Sequence, residues 1–204
     1  MKLEQSQIAK LENFLEKVKS QTYPEPSSPL HTQITHQMFA KFMQLFPLSP
    51  HAKILDIGCG QWVALQLFKS RGFDPIGITL NSQDVAVCQQ KGYEVYEMDQ
   101  SFLDFASFDF VWCRHCIEHS IFPYFTLSEI YRVLKPQGYL YIEVPAHDTS
   151  CKHQANGNHY SVFGKNMWTE LIKRSGFEAL QVFDINFHTP MGPDIYWALI
   201  QKKI

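Results

Sequence analysis

Lys53-Ile54-Leu55-Asp56-Ile57-Gly58-Cys59-Gly60 is the stretch that decides the fold. Apolar Ile54, Leu55 and Ile57 surround one acid and run into two glycines, and helical spacing resumes over residues 61–71. A buried strand therefore turns sharply into a helix. Glycines at such a turn let the backbone approach a nucleotide-like ligand with no Cβ in the way, while the free amides of the following helix point at it. Asp56 sets the charge of that ligand. A pyrophosphate is anionic and is met by G-x-G-x-x-G, whereas an acid inside the turn suits a cationic ammonium or sulfonium group.

Outward from this turn, short apolar runs alternate with helix-like segments about every 20 residues, the rhythm of βαβ units and a mostly parallel sheet. Strands are expected at 53–57, 75–79, 93–97, 108–113 and 138–144, and helices at 61–71, 82–91, 124–134 and 165–175. Two further strands, 178–187 and 194–201, have no helix between them and predict an antiparallel, hairpin-like edge. Ahead of the turn, Leu3, Ile8, Leu11, Phe14, Leu15 and Val18 stand at helical spacing over residues 3–19. Pro24, Pro26 and Pro29, with Ser27 and Ser28, then break the helix, and residues 30–46 resume it through Leu30, Ile34, Met38, Phe39, Phe42 and Leu45. The reading is an N-terminal helical cap and linker over 1–50, followed by an α/β ligand-binding domain over 51–204.

A chain of 204 residues, 45% hydrophobic, is long enough for one full core. Its formal charge of -2 offers no basic footprint for a phosphate backbone, so no nucleic-acid partner is expected. Five cysteines, at 59, 88, 113, 116 and 151, are an odd number, and no signal peptide or membrane span is evident. A cytoplasmic monomer or homodimer is the expectation.

Further features fall in register with the glycine turn. Asp99 ends the third expected strand in Tyr96-Glu97-Met98-Asp99-Gln100; Phe108-Asp109-Phe110-Val111 opens the fourth; Val133-Leu134-Lys135-Pro136-Gln137-Gly138 precedes the fifth. With Asp56 to Gly60, these stretches resemble class I S-adenosylmethionine-dependent methyltransferases of the small-molecule type, whose first motif is D-x-G-x-G after an apolar strand. With the Gly176-Phe177 strand entry and the closing strand pair, the resemblance covers roughly three quarters of the chain. It implies a Rossmann-like, doubly wound, mostly parallel seven-stranded sheet with an antiparallel last strand. S-adenosylmethionine is the implied cofactor, held by Asp56, Gly58, Cys59, Gly60, Gln61, Thr79, Leu80, Asp99, Gln100, Ser101 and Arg114, with Asp99 near the adenine amino group.

The pattern departs from the family twice. Trp62 stands where a third glycine is common, and Thr79, in Gly77-Ile78-Thr79-Leu80-Asn81, stands where an acid normally clamps both ribose hydroxyls. That G-x-T-L pattern, with the Glu118-His119 pair, also resembles cyclopropane fatty acid synthases, so lipid modification is an alternative. A protein that binds the cofactor without turnover and a nicotinamide oxidoreductase are two further rivals.

Cys113-Arg114-His115-Cys116-Ile117-Glu118-His119 spells both C-x-x-C and H-x-x-E-H, which elsewhere bind metals. Here the segment follows a Rossmann-type strand instead of lying inside a long helix, so metal independence is expected. Its position at the carboxyl end of a central strand turns Arg114, His115, Glu118 and His119 toward cofactor or acceptor. If methyl transfer needs a base, His115, His119 and His147 are the candidates. Residues 147–160 lack periodicity and are expected to form a lid. Phe122, Tyr124, Phe125, Phe163 and Trp168 near the expected mouth suggest a small, partly apolar acceptor.

Overall fold

Strands form where the apolar runs lie: β1 (Lys53–Ile57), β2 (Asp74–Thr79), β3 (Glu94–Glu97), β4 (Phe108–Arg114), β5 (Leu134–Pro145), β6 (Phe177–Thr189) and β7 (Gly192–Lys203). The computed structural model describes residues 4–24, 26, 28–104 and 106–204; Leu3 of the expected first helix and Ser27 of the linker lie outside them. One sheet joins the strands in the order β3-β2-β1-β4-β5-β7-β6. β7 runs antiparallel to both neighbours, and β1 to β5 pair in parallel. The hairpin is more than an edge, because β7 inserts between β5 and β6. Hence residues 196–201 of β7 are buried without interruption, as a strand covered on both faces requires, while the edge strand β6 is mostly exposed or half-buried.

Side chains alternate across the sheet and meet different helices on the two faces. The helices are α1 (Gln5–Lys19), α2 (Pro29–Leu45), α3 (Val63–Ser70), α4 (Ser82–Gln90), α5 (Pro123–Val133) and α6 (Lys165–Arg174). On one face Ile34, Met38, Phe39 and Phe42 of α2 join Phe68 of α3 over Ile54, Phe110, Trp112 and Tyr141. On the other, Leu127 and Ile130 of α5 and Trp168 and Ile172 of α6 cover Leu55, Val111, Leu140 and Ile142. Each such side chain contributes about 1.5–3 kcal/mol by leaving water. α2 is thus a full member of the helical layer. Its start is set locally: Ser28 accepts a hydrogen bond from the amide of His31, and Pro29 opens the first turn. α1 buries none of its residues; Ile8, Leu11, Phe14 and Leu15 are each between 37% and 45% exposed.

β5 starts four residues earlier than its apolar run, since Leu134 pairs with Phe108 across a bulge in which Gln137 takes φ 66°. The expected turn Lys135 to Gly138 is that bulge, pinned by Lys135 Nζ at 2.8 Å from Asp109. No helix among the described residues is long and apolar enough to cross a membrane. The parallel strands bring the carboxyl ends of β1, β2, β4 and β5 to one edge, where the functional side chains collect.

Candidate active site

The turn after β1 is left-handed three times, at Gly58 (φ 69°), Gly60 (φ 47°) and Trp62 (φ 69°). A Cβ on Gly58 would lie 2.8 Å from both Cβ and Sγ of Cys116, so the turn is closed tightly against the segment after β4. Trp62 keeps the backbone conformation of a third glycine at a steric cost of roughly 1–2 kcal/mol. Its indole carries Lys91 Nζ 4.0 Å above the ring.

Two clefts meet at this turn, sharing Gly58, Gly60 and His115. The first, about 580 Å³, is lined by Asp56, Gln61, Arg114 and, from α2, His31 and Thr35. The second, about 700 Å³, is lined by Thr79, Leu80, Asn81 and His119, with Tyr23, Asn158 and Tyr160 above them. That roof is stitched from two distant segments: Asn158 Nδ2 donates to the Gln21 carbonyl at 3.1 Å, and Tyr160 bonds the Gln21 side chain.

A buried charge network stands behind the first cleft. Glu143 of β5 is fully buried and accepts from Arg114 Nε at 2.7 Å, His115 Nε2 at 3.0 Å and the Tyr141 hydroxyl at 2.5 Å. Burial raises its pKa, but Arg114 and His115 outweigh this and hold it at about 2. His115, at φ 49°, lies between two acids, with Nδ1 3.4 Å from Glu118 Oε1. Burial lowers its pKa, yet Glu118 and Glu143 prevail and raise it to about 9. His115 is therefore an imidazolium at neutral pH. An imidazole held protonated by two acids is suited to electrostatic contact with a ligand rather than to taking a proton. His31 stacks on it at 5.4 Å and is kept neutral, its pKa lowered to about 4 by burial and by the His115 and Arg114 charges.

Two buried atoms on residues that line the first cleft lack hydrogen-bond partners among the described residues: Asp56 Oδ2 and Arg114 Nη2. Burial drives the Asp56 carboxyl up to about 7, against the pull of Arg114. An unpaired buried carboxylate beside an unpaired guanidinium nitrogen matches an amino-acid zwitterion, ammonium to Asp56 and carboxylate to Arg114. The methionine end of S-adenosylmethionine is such a group, so these residues fit that cofactor.

The chain matches the methyltransferase domain family over residues 30–188, most of its length. It belongs to the class I S-adenosylmethionine-dependent methyltransferases. No curated protein matches it by sequence. Among solved structures, it is similar to a methyltransferase of Archaeoglobus fulgidus, at 19% identity and TM-score 0.69, covering 83% of this chain and 94% of that one. The cyclase SpnF aligns at 18% identity and TM-score 0.70 over 97% and 95%. A phosphoethanolamine N-methyltransferase of Haemonchus contortus, in complex with phosphomonomethylethanolamine and S-adenosylhomocysteine, aligns at 18% identity and TM-score 0.69 over 82% and 52%. These likenesses concern the fold.

Most of the residues singled out in the methyltransferase sequence gather at the two clefts. Cys59 lines the first cleft but packs mainly under it, with Leu65, Cys88 and Val95. Gln61 is oriented by its bond to Asp84 Oδ1 at 3.1 Å. Thr79 accepts from the amide of Asn81 at 3.2 Å. Asp99, Gln100 and Ser101 stand away from both clefts: Asp99 caps its own turn by accepting from the Ser101 amide at 2.7 Å, and Gln100 is buried. Glu118 is buried behind His115, and His119 reaches the second cleft. His147 lines neither; it faces Asp148 at 3.0 Å and the Trp197 ring. Sequence reasoning missed Glu143, His31, Thr35, Tyr141 and Tyr196, the last with its hydroxyl 3.1 Å from His31 Nε2 and its ring 4.1 Å from that of His115. For Glu143 a signal existed, an acid inside the apolar run Tyr139-Leu140-Tyr141-Ile142-Glu143-Val144, where a buried charge demands partners.

Proposed function

We propose that the protein transfers the methyl group of S-adenosylmethionine to an oxygen, nitrogen or carbon of a small or medium-sized acceptor. The observation that carries this reading is the pair of unpartnered buried groups, Asp56 Oδ2 and Arg114 Nη2, on residues that line one cleft beside the glycine turn. Asp56 takes the ammonium and Arg114 the carboxylate of the cofactor's amino-acid end. Gly58 and Gly60 let the backbone close on the sulfur region, and Thr79 and Leu80 hold the nucleoside in the second cleft. When bound, the sulfonium supplies an already activated methyl group, so the protein's task is chiefly alignment.

The shared wall at Gly58, Gly60 and His115 is where acceptor and methyl group meet. The His115 imidazolium, fixed by Glu118 and Glu143, stabilises negative charge on an incoming acceptor. Residues 147–160 act as a lid, and Asn158 and Tyr160 close over the nucleoside through Gln21. Five free cysteines support action in a reducing, cytoplasmic setting.

Calorimetry tests the reading first: S-adenosylmethionine and its demethylated product should each bind at one site, and a panel of acceptors should then yield that product. No heat with either ligand, alongside clear binding of NAD, would overturn it.

A further inference from the structure

We propose that Glu118, His119 and His159 hold a divalent transition-metal ion at the wall of the second cleft. Glu118 and His119 lie on the short helical turn Ile117–His119 after β4, while His159 comes from the loop after β5. One ligand atom from each comes within 4.8 Å of the others. A filled site with bonds near 2.0–2.2 Å would bring the ligand atoms to roughly 3–3.5 Å of one another.

The orphaned atoms carry the argument. Glu118 is 1% exposed, and neither of its oxygens accepts a hydrogen bond among the described residues. Its charged neighbour His115 places Nδ1 3.4 Å from Oε1. His159 Nδ1 is also buried and unpartnered. The His115 imidazolium offsets part of the Glu118 charge, but hydrogen bonds are still missing at Glu118 and at His159 Nδ1, and a bound cation would satisfy both groups. His119 is prepared in the way metal-binding imidazoles are: Nδ1 donates to the Asn158 carbonyl at 3.0 Å, which fixes the ring and directs Nε2 elsewhere. Its ring stands 4.7 Å from that of His159, perpendicular to it.

A second cluster sharpens the choice. The ligand atoms of Cys151, His153 and Asp194 also come within 4.8 Å of one another. That set satisfies itself: Asp194 accepts from His153 Nε2 at 2.9 Å and from the Ile195 amide at 2.8 Å, and Cys151 meets Thr189 at 3.4 Å. It needs no ion.

Two imidazoles and one carboxylate suit Zn²⁺, Co²⁺ or Fe²⁺, whereas Mg²⁺ and Ca²⁺ prefer oxygen ligands. Three protein ligands also leave the ion coordination positions for water or substrate, and His119 lines the second cleft. The expectation of metal independence rests on the H-x-x-E-H segment following a Rossmann-type strand, and it does not weigh His159, which lies far downstream. The geometry replaces the H-x-x-E-H reading with a different trio.

The test is titration of chelator-treated full-length protein with Co²⁺ alone, read by visible d–d absorption, without cofactor or acceptor. One equivalent should bind with new bands. Glu118→Gln and His159→Ala should each weaken binding at least tenfold, and Cys151→Ala should leave it unchanged. Circular dichroism and a thermal melt confirm that each variant is folded; His159, on a half-buried loop position, remains decisive if the Glu118 variant unfolds. No saturable binding by the wild type, or wild-type affinity in a folded His159→Ala, or loss in Cys151→Ala, would overturn the proposal. None of these readouts depends on methyl transfer.

Discussion

The two clefts that meet at Gly58 and Gly60 differ in the forces that build them. The first is backed by charge: Glu143 binds Arg114, His115 and Tyr141, and Asp56 Oδ2 and Arg114 Nη2 are left over for a ligand. The second is walled mainly by neutral side chains, Thr79, Leu80, Asn81 and Tyr23, with Asp84 and the shared His115 as its charged members and His119 at one side. Buried charges act strongly at short range in a low dielectric and titrate, whereas hydroxyl and apolar contacts are weaker and indifferent to pH. Recognition in the first half should be steep and pH-dependent, and in the second half graded.

The turn common to both halves is the most sensitive point. Gly58→Val places a branched side chain at φ 69° and within 2.8 Å of Cys116. Calorimetry should find cofactor affinity reduced more than a hundredfold, with circular dichroism retaining the wild-type spectrum. The charged half comes next. In the free protein Asp56 titrates at about 7, raised by burial, and a bound ammonium favours its ionised form. Binding below pH 7 must therefore expel a proton, and wild-type affinity should weaken as pH falls from 7 toward 5, by up to about tenfold per unit. Asp56→Asn should lower affinity at pH 8 by about ten- to a hundredfold and abolish that slope. A carboxyl held above its usual range favours the folded state only while protonated, and this contribution is lost as pH rises through about 7. The same variant should accordingly melt higher than the wild type at pH 8. The neutral half should respond least: Thr79→Ala, removing one hydroxyl, should cost only a few-fold in affinity and leave the pH profile unchanged, by the same calorimetry.

The strands from β1 to β4 were legible to within a residue because each is a short apolar run bounded by turn residues. β5 was not, since Lys135-Pro136-Gln137-Gly138 reads locally as a turn, and only pairing with Phe108 carries the strand back to Leu134. Spacing showed two N-terminal amphipathic helices but not their fates, because periodicity names an apolar face and not what covers it. Phe42 stacks on Phe110 at 4.2 Å, whereas Phe14 is 45% exposed. At the site, residues that act through backbone shape were visible, as glycines adjacent in sequence. Residues that act through charge were assembled from α2, β4, β5 and β7, and no local pattern joins His31, Arg114, Glu143 and Tyr196. The protonated state of His115 belongs to that assembly alone.

Gln21 bonds two residues of the loop after β5, Asn158 and Tyr160, and so ties two distant segments together above the second cleft. On the proposed function, the nucleoside enters beneath a seam between the segment ahead of α2 and the loop bearing Asn158 and Tyr160. Spent cofactor leaves only when the seam opens. Because α1 buries none of its residues and is joined to the sheet at its end by the exposed Lys19–Glu97 pair, the opening costs little apolar contact. On the proposed function the N-terminal segment is a latch over the nucleoside, held by polar bonds and little apolar contact.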